Sequence, residues 1–174
     1  MLFRSQTSPR WELIAVDDAS TSVSVSATLE RHAAGDPRIR YHRRPANGGI
    51  AAATNDGVGL ATGEFVAFLD HDDLLAPEAI ERVAEALVAT AADAVYTDQD
   101  TVDAAGRATW TFHKPDWSPE YLRHVMYIGH LLVVRRTLAA SLGFRGGFDG
   151  VQDFEFMLRL GETTRAIAHL PEVL

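Results

Sequence analysis

The sequence predicts an α/β fold, a mostly parallel central sheet flanked by helices. Short apolar runs alternate with stretches of helical period along the chain. The runs are near-continuous in apolar character, as expected of strands covered on both faces. Several of them also end abruptly in aspartates, and the carboxyl ends of strands are where open α/β sheets bind ligands. Trp11–Val16 (WELIAV) is the first strand and runs into Asp17-Asp18. Ser22–Leu29 reads two ways. Val23, Val25, Ala27 and Leu29 alternate as in a strand, whereas Asp18 and Ser20 ahead of them suit a helix start. Helix is preferred, because strand–helix–strand order needs a crossover there. Ile39–His42 is a second, weaker strand, and Ile50–Leu60 is an Ala- and Gly-rich helix able to approach a sheet closely. Glu64–Leu69 is the third strand and leads into Asp70-His71-Asp72-Asp73. Ile80, Val83, Ala84, Leu87 and Val88 follow at helical spacing, with Pro77 in the first turn and Asp73 as the candidate cap. Asp93–Thr97 is the fourth strand and continues into Asp98-Gln99-Asp100. Trp110–Val134 is more irregular, with an antiparallel character. Gly143–Gly150 reads as a mobile loop, and Phe154, Met157, Leu158 and Gly161 mark a last amphipathic helix.

Composition narrows the function. The 174 residues suffice for one domain with a substantial core, and the absence of cysteine removes disulfides, zinc–thiolate sites and thiol nucleophiles. A net charge of −8 argues against nucleic-acid binding, since Arg43-Arg44 and Arg135-Arg136 are too short to form a basic stripe. No apolar run reaches the roughly 18 residues of a membrane span, and Met1–Arg10 has no signal-like hydrophobic region. The expected location is the cytoplasm, with peripheral association at the inner face of a membrane.

The aspartates carry the chemistry. Asp70 and Asp72 stand two apart on an extended segment, so both side chains can point to one side and offer hard oxygen ligands to Mg²⁺ or Mn²⁺. The plainer reading is a helix cap by Asp72 or Asp73 with the others solvated. Asp17 or Asp18 could accept hydrogen bonds from a ribose or a base, or cap the following helix. Asn47-Gly48-Gly49, before a helix, offers backbone N–H groups to an anion without matching the P-loop or dinucleotide fingerprints. Asp153 opens the last helix beside the glycine-rich loop and is a candidate general base, again with capping as the alternative. His130 is either structural, a third metal ligand or an acceptor-site residue.

In order and spacing, these segments resemble a glycosyltransferase of family 2, with the GT-A nucleotide-sugar-binding fold. Trp11–Thr21 (WELIAVDDAST) is similar to the family's second strand and its nucleoside-binding aspartates. Asn47–Asp73 (NGGIAAATNDGVGLATGEFVAFLDHDD) resembles the unit delivering its Asp-x-Asp metal motif. Tyr96–Asp103 (YTDQDTVD), His113–Ser118 (HKPDWS) and Tyr127–Leu132 (YIGHLL) resemble a bacterial subgroup associated with cell-surface polysaccharides. Gly150–Arg159 (GVQDFEFMLR) resembles the segment with the catalytic aspartate. The resemblance implies inverting, metal-dependent sugar transfer from a UDP-, dTDP- or GDP-sugar to a glycan or lipid-linked hydroxyl. Asp17 and Asp18 would contact the nucleoside, and Asn47 and Gly48 the donor. Asp70 and Asp72 would hold Mg²⁺ or Mn²⁺, with Asp72 the more direct ligand, and Asp153 would deprotonate the acceptor.

Two departures accompany the resemblance. The family's first strand and most of its first helix have no counterpart before Ser5–Trp11, and the sequence stops at Pro171–Leu174 where the family continues. Residues 1–174 therefore read as a single domain truncated at both ends. A second copy or another segment would be needed to fill the sheet. A non-catalytic nucleotide-sugar-binding or assembly module is the alternative. A more remote one is a Mg²⁺-dependent phosphohydrolase, because Phe68–Asp72 (FLDHD) resembles the strand-borne nucleophile of the haloacid-dehalogenase type, although Asp73-Leu74 follows in place of Gly-Thr.

Overall fold

The computed structural model describes residues 2–174, with side chains from Arg4 onward. Its contacts group the chain into two compact units. One comprises the segment up to Arg10, Ala67–Arg135 and Leu158–Leu174; the other comprises Trp11–Val66 and Arg136–Met157.

The second unit is built on a parallel pair, β1 (Leu13–Asp17) and β2 (Ile39–Arg43), in register from Leu13 opposite Ile39 to Asp17 opposite Arg43. The crossover between them is α1 (Val23–Gly35), so the helical reading of Ser22–Leu29 holds and its valine alternation does not form a strand. Only Ser26 of α1 is buried, and Val23 and Val25 are exposed. Next, α2 (Gly49–Leu60) buries Ala51 and Val58, and a side chain at Gly57 would meet Val16 at 3.5 Å, the close helix–strand approach that small residues permit. Glu12 ties this unit together at the start of β1. Its Oε1 accepts the Thr62 N–H at 2.5 Å, the Gly63 N–H at 2.9 Å and the Thr62 hydroxyl at 2.9 Å, while Oε2 accepts from Arg40 at 2.7 Å. The unit also holds α5 (Arg136–Leu142) and the opening of α6 (Gln152–Thr163). The loop between them is anchored at its start. Asn55 donates to the Phe144 carbonyl at 2.8 Å and accepts its N–H at 2.7 Å, and Phe144 stacks on Phe156 at 4.4 Å.

The chain passes into the first unit along β3 (Phe65–Phe68). The sheet runs β3–β6–β4–β5, with β7 also paired to β4. Here β4 is Ala94–Val102, β5 Ala108–Phe112, β6 Leu132–Arg135 and β7 Ile167–Val173. The first half of β4 lies between antiparallel β6 and parallel β7, and its second half forms a hairpin with β5. The α/β class holds. Antiparallel pairing takes a larger share than the apolar runs suggest, because β4 turns back through β5 and pairs with β6. Val95, Tyr96, Tyr127, Ile128, Leu122, Val134 and Leu160 form the buried centre. Each large apolar side chain there contributes about 1.5–3 kcal/mol relative to exposure.

The helix after Asp73 starts later than Pro77 and Asp73 suggest, although Ile80, the first residue of its apolar period, lies inside it. α3 (Ala79–Thr90) has Glu78 at its N-cap, with Pro77 outside the first turn. Asp73 does not cap it; its Oδ2 accepts the Asp70 N–H at 3.1 Å. Gln6 does the capping work instead, accepting the Ile80 N–H at 3.1 Å and donating to the Ala76 carbonyl at 2.7 Å. The buried stripe of α3 is Ala79, Val83 and Leu87, while Val88 is 85% exposed. Among the described residues, no helix is long and apolar enough to cross a membrane.

Candidate functional site

The strand ends place the aspartates unevenly. After β3 the backbone turns tightly, the Asp73 N–H reaching the Asp70 carbonyl at 3.3 Å. This turn carries Asp73 toward His130, whose Nδ1 lies 2.6 Å from Asp73 Oδ2 and 4.0 Å from Asp70 Oδ2. Asp70, Asp73 and His130 offer ligand atoms that all lie within 4.8 Å of one another. Two carboxylate oxygens and an imidazole nitrogen at that spacing fit a divalent cation such as Mn²⁺. Asp72 lies outside this cluster: its side chain is 77% exposed, with His71 at 3.9 Å. The Asp70-x-Asp72 pair is thus split by the turn, and the adjacent Asp73, read from the sequence as a cap, stands with the histidine.

His130 is delivered by the segment Tyr127–Leu131 ahead of β6, and that segment is held by a buried polar group. Lys114 is only 5% exposed, and its Nζ donates to the carbonyls of Ile128 and His130, the latter at 2.7 Å. Burial pushes its ammonium down to about 8 against the opposing charge of Asp98. Asp98, buried on β4, accepts the Lys114 N–H at 2.9 Å, His113 Nδ1 lies 3.0 Å from it, and His169 Nε2 on β7 lies 2.8 Å from it. Burial pushes the Asp98 carboxyl up, but bonds from Lys114, His113 and His169 outweigh it and hold it below the usual range. His169 stacks on Tyr96 at 4.9 Å, and the Tyr96 hydroxyl donates to the Pro115 carbonyl at 2.6 Å. Nothing local in the sequence marks Asp98 and Lys114 as partners of this kind. The segments YTDQDTVD and HKPDWS contain the two residues, but neither shows that they pair.

In the other unit Asp17 and Asp18 serve the loop after β1. Asp17 is buried; its Oδ1 accepts the Ser20 N–H at 2.8 Å and its Oδ2 the Tyr41 hydroxyl at 3.1 Å, with Ser26 at 3.4 Å and Arg43 at 3.8 Å. Bonds from Ser20 lead in holding its carboxyl below the usual range. Asp18 pairs with Arg44 at 2.5 Å and accepts the N–H groups of Gly48 at 2.9 Å and Gly49 at 2.8 Å. The anion at the Asn47-Gly48-Gly49 turn is therefore Asp18 itself, and Asn47 adds a bond to the Asp18 carbonyl at 3.1 Å. Arg44 and these amides hold the Asp18 carboxyl low. Asp153 sits in the first turn of α6, its Oδ1 accepting the Phe154 N–H at 2.8 Å, and Gln152 accepts the Gly150 N–H at 2.8 Å.

An α/β fold with acidic strand ends defines a broad class, and comparison with known proteins narrows it. Residues 3–150 match glycosyl transferase family 2, and the chain belongs to that family. It is 46% identical over 172 residues to the O-antigen biosynthesis protein RfbC of Myxococcus xanthus, covering 98% of this chain and 14% of that protein. The fold is similar to S. aureus TarS 1-349 in complex with UDP, with a TM-score of 0.78 and 18% identity over 98% of this chain and 52% of that one. It is also similar to the mannosyltransferase PcManGT from Pyrobaculum calidifontis in complex with GDP-Man and Mn²⁺, with a TM-score of 0.70 and 24% identity over 99% of this chain and 49% of that one. The structural likenesses show the GT-A fold. Family membership leaves the phosphohydrolase reading of Phe68–Asp72 without support.

Proposed function

We propose that the chain transfers a sugar from a nucleotide-sugar donor to a hydroxyl of a glycan or lipid-linked acceptor, with inversion and with a divalent cation. The observation that carries this reading is the Asp70, Asp73 and His130 cluster in a family-2 chain. Those residues would hold Mg²⁺ or Mn²⁺, with exposed Asp72 beside them free to turn toward the same ion. A cation bound there supplies positive charge for the leaving diphosphate. Asp17 and Asp18 shape the turn after β1 to which we assign nucleoside contact, with Asn47 and Gly48 bracing that turn. Asp153 takes the proton from the acceptor hydroxyl. The acceptor oxygen then bonds to the anomeric carbon as the bond from that carbon to the diphosphate oxygen breaks, and the nucleoside diphosphate leaves. UDP-, dTDP- and GDP-sugars are the donor classes to test; the relative's role in O-antigen biosynthesis favours a surface-glycan acceptor.

Thermal unfolding with Mn²⁺ and each donor, on wild type, Asp73→Asn and Asp72→Ala, tests the reading. A donor at a hundred times its Kd adds about 2.7 kcal/mol of stability. That corresponds to roughly 5–10 °C for a chain of this size. The expected result is a metal-dependent shift with one nucleotide class, lost in Asp73→Asn, together with transfer activity lost in Asp153→Asn. No metal-dependent shift with any donor overturns it. A shift without transfer or donor hydrolysis would identify a binding module instead.

A further inference from the structure

We infer that Lys114 is a positioning residue for His130, and through it for the cation held with Asp70 and Asp73; this rests on the metal reading above. A buried ammonium is costly unless its donors are taken up. Lys114 is 5% exposed, and two acceptors for its Nζ are the carbonyls of Ile128 and His130, on either side of Gly129. Gly129 itself adopts φ +50°, a left-handed turn that lets both carbonyls be gripped from one side. The clasp sets the direction in which the next side chain leaves the backbone, and that side chain is His130, 2.6 Å from Asp73. The other end of the lysine is fixed as firmly. Its N–H is held by Asp98 at 2.9 Å, and Asp98 is fastened to His169 on the neighbouring strand. An apolar side chain would fill the same space without gripping the loop. A charged donor retained in the interior at that cost points to orientation of the histidine, as hydrogen-bonding partners behind metal ligands commonly provide.

The test is Mn²⁺ binding to the full chain without nucleotide, read from the loss of the free-ion EPR signal at a temperature where each variant is folded. Lys114→Met is expected to weaken Mn²⁺ binding by about 10- to 100-fold, as does loss of a partner behind a metal ligand. His130→Ala is expected to weaken it at least as much. The double variant should bind within about twofold of His130→Ala alone, because both changes act through one side chain. Lys114→Arg, which keeps N–H donors for the carbonyls, should recover most of the affinity. Should Lys114→Met fail to fold by circular dichroism, Lys114→Leu, which likewise offers the carbonyls no donor, takes its place under the same criteria. If His130→Ala weakens binding but the Lys114 variant matches wild type, or if the two losses multiply, the positioning role is overturned. If wild type and His130→Ala bind Mn²⁺ alike, the metal reading fails and this inference falls with it.

Discussion

Replacing Asp98 by alanine isolates the buried network in the first unit. The carboxylate side chain is 3% exposed and serves the Lys114 N–H at 2.9 Å, His169 Nε2 at 2.8 Å and His113 Nδ1 at 3.0 Å. After truncation His113, whose side chain is largely exposed, turns to water. The Lys114 N–H and the His169 ring do not have that escape, as both are buried. Each stranded donor costs about 1–3 kcal/mol, and removing a buried carboxylate returns part of that as relieved desolvation. A net loss of about 3 kcal/mol follows, or roughly 6–12 °C in melting temperature. Asp98→Asn keeps the shape and an acceptor for Lys114, at the expense of an amide N–H facing His169, so it should lose about half as much. Urea unfolding at pH 7, followed by both far-UV circular dichroism and tryptophan fluorescence, supplies the numbers and tests whether one transition is present. A loss below about 1 kcal/mol for Asp98→Ala, or an equal loss for the asparagine variant, would refute the reasoning.

Three further outcomes follow from the same contacts. Glu12→Ala removes the acceptor of the Thr62 and Gly63 N–H groups and of Arg40, and should cost about 2 kcal/mol in urea unfolding while leaving Mn²⁺ affinity unchanged. Asp17, Asp93 and Asp98 all have carboxyls held below the ordinary range, so their stabilisation is complete above about pH 4 and is lost as pH falls through their lower folded values. The urea midpoint should therefore drop steeply below pH 4, and less steeply in Asp17→Asn, when measured between pH 3 and 7. Gly161→Ala gains up to about 1 kcal/mol of helix propensity. It nevertheless forces a Cβ to 2.8 Å from the Trp117 ring, so overpacking should win by about 1–2 kcal/mol in a thermal melt.

The strands that carry the aspartates were legible because each is a short apolar run broken by charge. Leu13–Asp17, Phe65–Phe68 and the start of Ala94–Val102 fall where those runs lie, and Ile39–Arg43, which carries no aspartate, falls where the weaker run lies. β7 was not legible. Pro171 argues against a strand, and the sheet accommodates it only through an irregularity: Thr97 pairs with Leu170 and Asp98 with Val173, so Pro171 and Glu172 stand outside the ladder. The start of α3 was misplaced because its capping partner, Gln6, is remote in sequence and leaves no local trace. The same reason applies at the candidate site. Asp70-x-Asp72 is a visible spacing, but the turn that brings Asp73 to His130, and the clasp of Lys114 behind it, join residues far apart in the chain. Asp17 and Asp18 were legible as polar residues at a strand end, but their saturation by Ser20, Tyr41, Arg44 and the Gly48-Gly49 amides depends on β2 and α2 arriving.

The parallel pairing of β4 with β7 also bears on the order in which the protein can be made. Ala94 pairs with Ile167 and Tyr96 with His169, so one edge of the longest strand must wait until those late residues have been synthesised. Until then Val95 and Tyr96 lack a neighbour on that side, and Asp98 lacks the imidazole of His169. The β1–β2 pair, by contrast, closes over the short α1 crossover and can form while the rest is still emerging. Sequence-distant strand pairing is slow, and unpaired edges are open to wrong partners while it is pending. A nascent chain that pauses before Ile167 would therefore present an apolar edge at the centre of its sheet, the state in which a holdase chaperone has the most to bind.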